Sequence, residues 1–73
     1  MKYLIIEIQT SADGNVATIV TEKDNLNEAF SVFYSVLSAA AVSSVPLHAA
    51  VLMTNNGAAI KREVFDHTGV SEV

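Results

Sequence analysis

Residues 25–41 read NLNEAFSVFYSVLSAAA, and apolar side chains recur through them at helical spacing. Leu26, Phe30, Phe33, Leu37 and Ala40 follow one another at steps of three and four and, with Ala41, form one stripe of an amphipathic helix, α1. Asn25 stands where a cap is needed, and Glu28 three residues on completes a capping-box pattern with asparagine as the cap. Asp24 and Glu28 both lie near the positive end of the helix dipole. The helix ends within residues 42–46, VSSVP, because Pro46 disfavours helical geometry at Val45 and two serine hydroxyls compete for backbone hydrogen bonds. At 100° per residue, Ala29, Val32, Val36 and Ala39 widen the apolar arc on one side and Tyr34 widens it slightly on the other. That arc is wider than one sheet requires, and Asn27, Glu28, Ser31, Ser35 and Ser38 hold the remainder.

On either side of the helix the pattern changes to that of strands. Residues 2–10 are rich in β-branched and aromatic types, with Tyr3 and Ile5 on one face and Leu4, Ile6 and Ile8 on the other, which places this strand, β1, inside a sheet. Asp13-Gly14 tolerates the positive φ of a hairpin turn and leads into β2 at residues 16–21. After the helix, β3 at residues 47–54 carries Leu47, Ala49, Val51 and Met53 on one face and His48, Ala50 and Leu52 on the other, again apolar on both sides. Asn55-Asn56-Gly57 is a strong hairpin turn, since Asn and Gly readily adopt left-handed conformations. The returning strand, β4 at residues 58–67, alternates Ile60 and Val64 with Lys61 and Glu63, as suits a sheet edge.

The expected fold is therefore α+β, ββαββ, one domain over residues 1–67 with a frayed tail at 68–73. With the apolar strands central, the favoured sheet order is β2-β1-β3-β4, all neighbours antiparallel, and β1-β2-β3-β4 stays open as the alternative. One helix covers one face in either case. The other face carries either Tyr3 and Ile5 or Leu4, Ile6 and Ile8, and a second subunit is the simplest cover for it.

Composition points the same way. A 73-residue chain has room for one small core, and such domains commonly need disulfides, a metal or oligomerisation. There is no cysteine, which leaves oligomerisation as the device at hand and suits a reducing compartment. Hydrophobic residues make up 51% of the chain and charged residues only 16%, against about 25% in ordinary domains, so the surface is sticky for a monomer. The net charge of -4 repels phosphate backbones and disfavours general nucleic-acid binding. No export signal is expected, because Glu7 interrupts the first apolar run. Residues 29–60 carry no Asp, Glu, Lys or Arg, yet serines, Pro46, His48 and the Asn-Asn-Gly turn divide them into helix, loop and strand rather than a membrane span.

No catalytic, cofactor-binding or metal-binding constellation stands out. His48 and His67 lie on different strands without HxxxH or HxH spacing, and Asp66 and His67, being adjacent on a strand, point to opposite faces. No GxSxG elbow is present, and the three glycines are isolated rather than gathered into a phosphate-binding loop. Phe30 and Phe33 belong to the helix stripe and read as core. The row Ser31, Ser35, Ser38 is unusual for an exposed helix face, being short and uncharged where Glu or Lys is the norm, and it permits close approach of a partner. The candidate interface is accordingly Val32, Ser35, Val36 and Ala39 on the helix with Tyr3 and Ile5 on the sheet. Tyr3, Tyr34, His48 and Phe65 are candidates for a ligand pocket.

Residues 1–13 (MKYLIIEIQTSAD) and 35–52 (SVLSAAAVSSVPLHAAVL), with the Asn-Gly turn that follows, resemble small proteins encoded by anaerobic gut Firmicutes and by their phages or prophages. The likeness covers most of the chain. That group has no assigned activity or functional residues, so the resemblance implies only a setting: a bacterial cytoplasm or a virion. The function expected from all this is a noncatalytic interaction module, a homo-oligomer of two or more copies that needs no cofactor and engages a protein partner. Virion assembly or inhibition of a host protein are the roles the resemblance suggests. The second reading is a small-molecule binding or sequestering protein whose pocket forms at a subunit interface.

Overall fold

Among the described residues, alternating β-formers build four eight-residue strands, two before the helix and two after it in the chain. The computed structural model describes residues 1–67, so the expected frayed tail lies outside the described residues. The elements are β1 (Tyr3–Thr10), β2 (Val16–Lys23), α1 (Leu26–Ala41), β3 (Leu47–Thr54) and β4 (Ala59–Asp66). The sheet order is β2-β1-β3-β4 with every neighbouring pair antiparallel, and the helix packs on one face, mainly over β3 and β1. β2 runs two residues further than the apolar pattern indicates, pairing Glu22 with Leu4 and Lys23 with Tyr3.

Both hairpins turn through three-residue loops that close on a glycine. Ser11 N–H donates to the Asn15 carbonyl at 2.9 Å and Gly14 N–H to that of Ser11 at 2.9 Å. Thr54 N–H likewise donates to Ala58 at 2.9 Å and Gly57 N–H to Thr54 at 3.0 Å. Gly14 and Gly57 have φ of 90° and 95°, and among the described residues no non-glycine has a positive φ. Asn55 and Asn56 thus do not take the left-handed conformation their sequence allows. Asn55 instead ties the second hairpin to the start of β1: its N–H donates to the Lys2 carbonyl at 3.0 Å and its Oδ1 accepts from Lys2 N–H at 3.1 Å.

The helix begins as its cap residue dictates. Asn25 Oδ1 accepts from the backbone of Asn27 at 2.8 Å and Glu28 at 3.2 Å, an arrangement that stabilises a helix by about 1 kcal/mol. At the other end Val42 N–H reaches Ala39 O and Ser43 N–H reaches Ala40 O. His67 adds a clasp, its Nε2–H donating to Ala40 O at 3.2 Å while its ring stacks on Phe65. A donor there faces the negative end of the helix dipole.

Large and small side chains interlock in the core: Ile5, Phe33 and Leu52 with Ala29 and Ala50, flanked by Tyr3, Phe30, Val32, Val36 and Leu37. The helix is rotated relative to the stripe its spacing implies. Leu26 and Ala41 are exposed, whereas Ala29, at the margin of the expected arc, is fully buried. A side chain as small as alanine at that position lets the helix approach the sheet closely. Two consequences correct the expected interface. Ile5 is buried and Tyr3 packs on the core, so the Tyr3/Ile5 face lies under the helix and the uncovered face is that of Leu4, Ile6 and Ile8. Val32 and Val36 are taken up by the core, which leaves only Ser35 and Ala39 of that set exposed.

Two surface carboxylates couple this fold to pH. Hydrogen bonds from the Ser11 hydroxyl and the Asn15 backbone hold Asp13 below its ordinary 3.8, and the Lys2 ammonium does the same for Asp24. A depressed carboxylate stabilises the fold above the unfolded value, and that contribution is lost as pH falls through the folded one. The melting temperature is expected to fall progressively as pH is taken from about 5 to about 2, by a small amount because both groups are exposed. In melts across that range Asp24→Asn should flatten the acid limb, and an unchanged limb would remove the Lys2–Asp24 pair from the account.

Candidate functional site

The uncovered face is built by alternation. Residues opposite one another in an antiparallel ladder point to the same side, so the register fixes four rows across the sheet. One row is Glu22, Leu4, Met53 and Ala59; the next is Val20, Ile6, Val51 and Arg62. The third is Thr18, Ile8, Ala49 and Val64, and the last is Val16, Thr10, Leu47 and Asp66. The two central strands are apolar on this face except for Thr10 at the end of β1, and Glu22, Arg62 and Asp66 all stand on the two outer strands. Val16, Val20 and Val64 are 63%, 59% and 51% exposed. The inner residues are half-buried only because neighbouring strands shield their flanks. An apolar centre with a charged rim is the anatomy of a protein interface.

The covered face holds the one buried polar cluster seen among the described residues. His48 is 3% exposed and its Nε2 lies 2.5 Å from Glu7 Oε2, to which Gln9 Nε2–H also donates at 2.9 Å. A carboxylate only accepts, so His48 Nε2 carries the hydrogen, and Nδ1 is left buried with no partner among the described residues. The parts sit together because Gln9 opposes His48 across the β1–β3 ladder and Glu7 is two residues along β1 on the same face. A carboxylate-oriented histidine can act as a base, but this one is closed off from any substrate. Its role is to satisfy polar groups under the helix. Glu7→Ala leaves both His48 nitrogens unpaired and is expected to cost about 1–3 kcal/mol in urea unfolding, whereas Glu7→Gln, which keeps an acceptor, costs less. Equal effects of the two variants would show that the hydrogen bond contributes nothing.

The four candidate pocket residues do not converge. Tyr3 and His48 stand at opposite ends of the β1–β3 ladder, six positions or about 20 Å apart. Tyr34 is half-exposed at mid-helix, its ring against Phe30 and Phe33. Phe65 does oppose His48, but there it stacks on His67. Two clefts lie elsewhere. One of about 160 Å³ is lined by Gln9, Ser11, Asn15, Val16, Ala17 and Val45, and an open, charged one of about 440 Å³ by Lys2, Glu22, Lys23, Asp24 and Glu28.

No family model, curated protein or solved structure matches this chain. Its own surface chemistry is therefore what speaks to function. Among the described residues no three His, Asp or Glu side chains gather as a metal would require, and no helix is long and apolar enough to cross a membrane. Spacing along the sequence could not have revealed the Glu7–His48 pair, whose members are 41 residues apart and meet only through the β1–β3 register. For the uncovered face a signal did exist: apolar residues at every other position from Leu4 to Ile8 and from Leu47 to Met53, to which β2 adds Val16 and Val20 and β4 adds Val64.

Proposed function

We propose that this chain is a noncatalytic interaction module that self-associates through its uncovered sheet face. The observation that carries the reading is the apolar field centred on Ile6, Ile8 and Val51 with its charges confined to the outer strands. Four strands of eight residues give a face of about 19 by 26 Å, or about 500 Å² in plan. Two copies packed face to face would remove on the order of 1,000 Å² from water, the lower limit for a specific interface. A second copy fits better than an unrelated protein because two like sheets share the same twist and pack about 10 Å apart with side chains interdigitating, and this face is apolar at its centre. The bacterial or phage setting, and any further protein partner there, rest on the sequence resemblance.

Catalysis is disfavoured by the closure of the His48 site, and the small-molecule reading by the scatter of Tyr3, Tyr34, His48 and Phe65. The 160 Å³ cleft is below the roughly 300 Å³ at which ligand pockets begin, and the 440 Å³ cleft, though above it, is open and lined by charged side chains rather than by an apolar wall. Native mass spectrometry on freshly purified protein tests the proposal. An even-numbered oligomer without added mass supports it, an unliganded monomer at high micromolar concentration rejects it, and a retained molecule in integral stoichiometry would favour the binder instead.

A further inference from the structure

The two edges of this sheet are unequally protected. Natural edge strands are blunted by Lys, by proline or by a bulge, because an open row of backbone N–H and C=O groups is a template for another strand. β4 has such devices, with Lys61, Arg62 and Glu63 at its middle and a register shift opposite Leu52/Met53. β2 has none. Residues 16–21, VATIVT, carry no charge and no proline, pair with β1 in an unbroken register, and are exposed from Val16 to Val20.

We infer that β2 is a second association edge, and that its occupant is β2 of another copy, paired antiparallel about a two-fold axis at Thr18. That register is self-complementary. It sets Val16 against the partner's Val20 and Ala17 against the partner's Ile19, like with like on each face. It also carries Lys23 to the 11–15 turn of the other copy, beside the partner's Asp13. Lys23 makes no ion pair among the described residues, and Asp13, whose carboxylate accepts from Ser11 and Asn15 within its own turn, is exposed and keeps lone pairs for a further donor, so two new opposite-charge contacts close the two ends of the seam. A two-fold axis perpendicular to the sheet keeps both helices on one side and joins both apolar faces on the other. The result is an eight-stranded sheet whose uncovered face is doubled.

This extends the face-packing reading and rests on it for the final subunit count, though the edge itself stands on β2 alone. Two doubled faces packed together remove about 2,000 Å², well inside the range of stable assemblies, where single faces only reach its threshold. The complete assembly is a tetramer, two edge-paired dimers stacked face to face.

Native mass spectrometry on the wild-type chain and five variants separates the two contacts. The wild type is expected to be a tetramer, and Ile6→Lys, on the face, to be an edge-paired dimer. Ile19→Lys, which puts two ammonium groups across the seam without touching the uncovered face, should leave a face-paired dimer. Lys23→Glu and Asp13→Lys should each weaken the edge at least tenfold, and the chain carrying both should regain the wild-type state, a rescue that no loss of folding could mimic. Charge reversals that change nothing, or a double variant that fails to recover, overturn the edge; if Ile6→Lys still breaks the assembly, the face survives that result. An assembly broken by the charge reversals, restored by the swap and indifferent to Ile6→Lys keeps the edge and discards the face. A monomeric wild type overturns both.

Discussion

Phe33→Ala is expected to destabilise the domain by about 3–5 kcal/mol. Phe33 has no exposed surface and sits in the core with Ile5, Ala29, Ala50 and Leu52. Removing a buried phenylalanine costs about 3–5 kcal/mol, because the transfer energy of the ring is lost and the cavity collapses only in part. Chains of this length have about 4–11 kcal/mol of total stability, so one substitution removes about a quarter of it at least, and all of it at the low end. Here the loss falls at the contact that docks α1 onto the sheet. In urea unfolding the variant should show a reduced midpoint with an unchanged slope, or no folded baseline at all. A loss below about 1 kcal/mol would mean that the helix does not dock through Phe33.

Ile6→Lys is the second large effect, and it acts on assembly rather than folding. Ile6 lies on a central strand between Val20 and Val51 on the uncovered face, away from the buried cluster. In a single copy the new ammonium group stays in water, so the fold is kept and the far-UV circular dichroism spectrum should match the wild type, within the roughly 1 kcal/mol span of strand propensities. Between two faces the same group would be buried without a partner, at a cost of several kcal/mol, enough to eliminate the contact. The variant should therefore contain at most half as many subunits as the wild type. An unchanged subunit number would remove the face from the account.

The frame of the fold was legible because its signals are local. Asn25 and Glu28 mark the helix start, Pro46 its end, Asp13-Gly14 and Asn56-Gly57 the hairpins, and the doubly apolar β1 and β3 the centre of the sheet. The choice of face was not legible. Tyr3/Ile5 and Leu4/Ile6/Ile8 are both apolar, and a wide helix arc could have packed on either. What decides it is the fit of Phe33 and Ala29 with Ile5, Ala50 and Leu52, which only the register brings together. Counterintuitively, the covered side is the one that carries Glu7 and Gln9. They are accommodated there because His48 and Glu7 satisfy each other, and pairing at a separation of 41 residues leaves no periodic trace. The helix flank that looked spare in Val32 and Val36 is likewise absorbed by the core, since Ala29 allows the rotation that brings it in.

The most direct test of the proposed contact is methyl NMR with a soluble paramagnetic agent, which attenuates signals in proportion to their exposure. Ala39, exposed on the helix, serves as the internal reference. If the sheet face is the contact, the methyl groups of Ile6, Ile8 and Val51 stay sharp at high micromolar concentration while Ala39 is attenuated. If Ile6, Ile8 and Val51 are attenuated as strongly as Ala39, the face is open to solvent and the account is wrong.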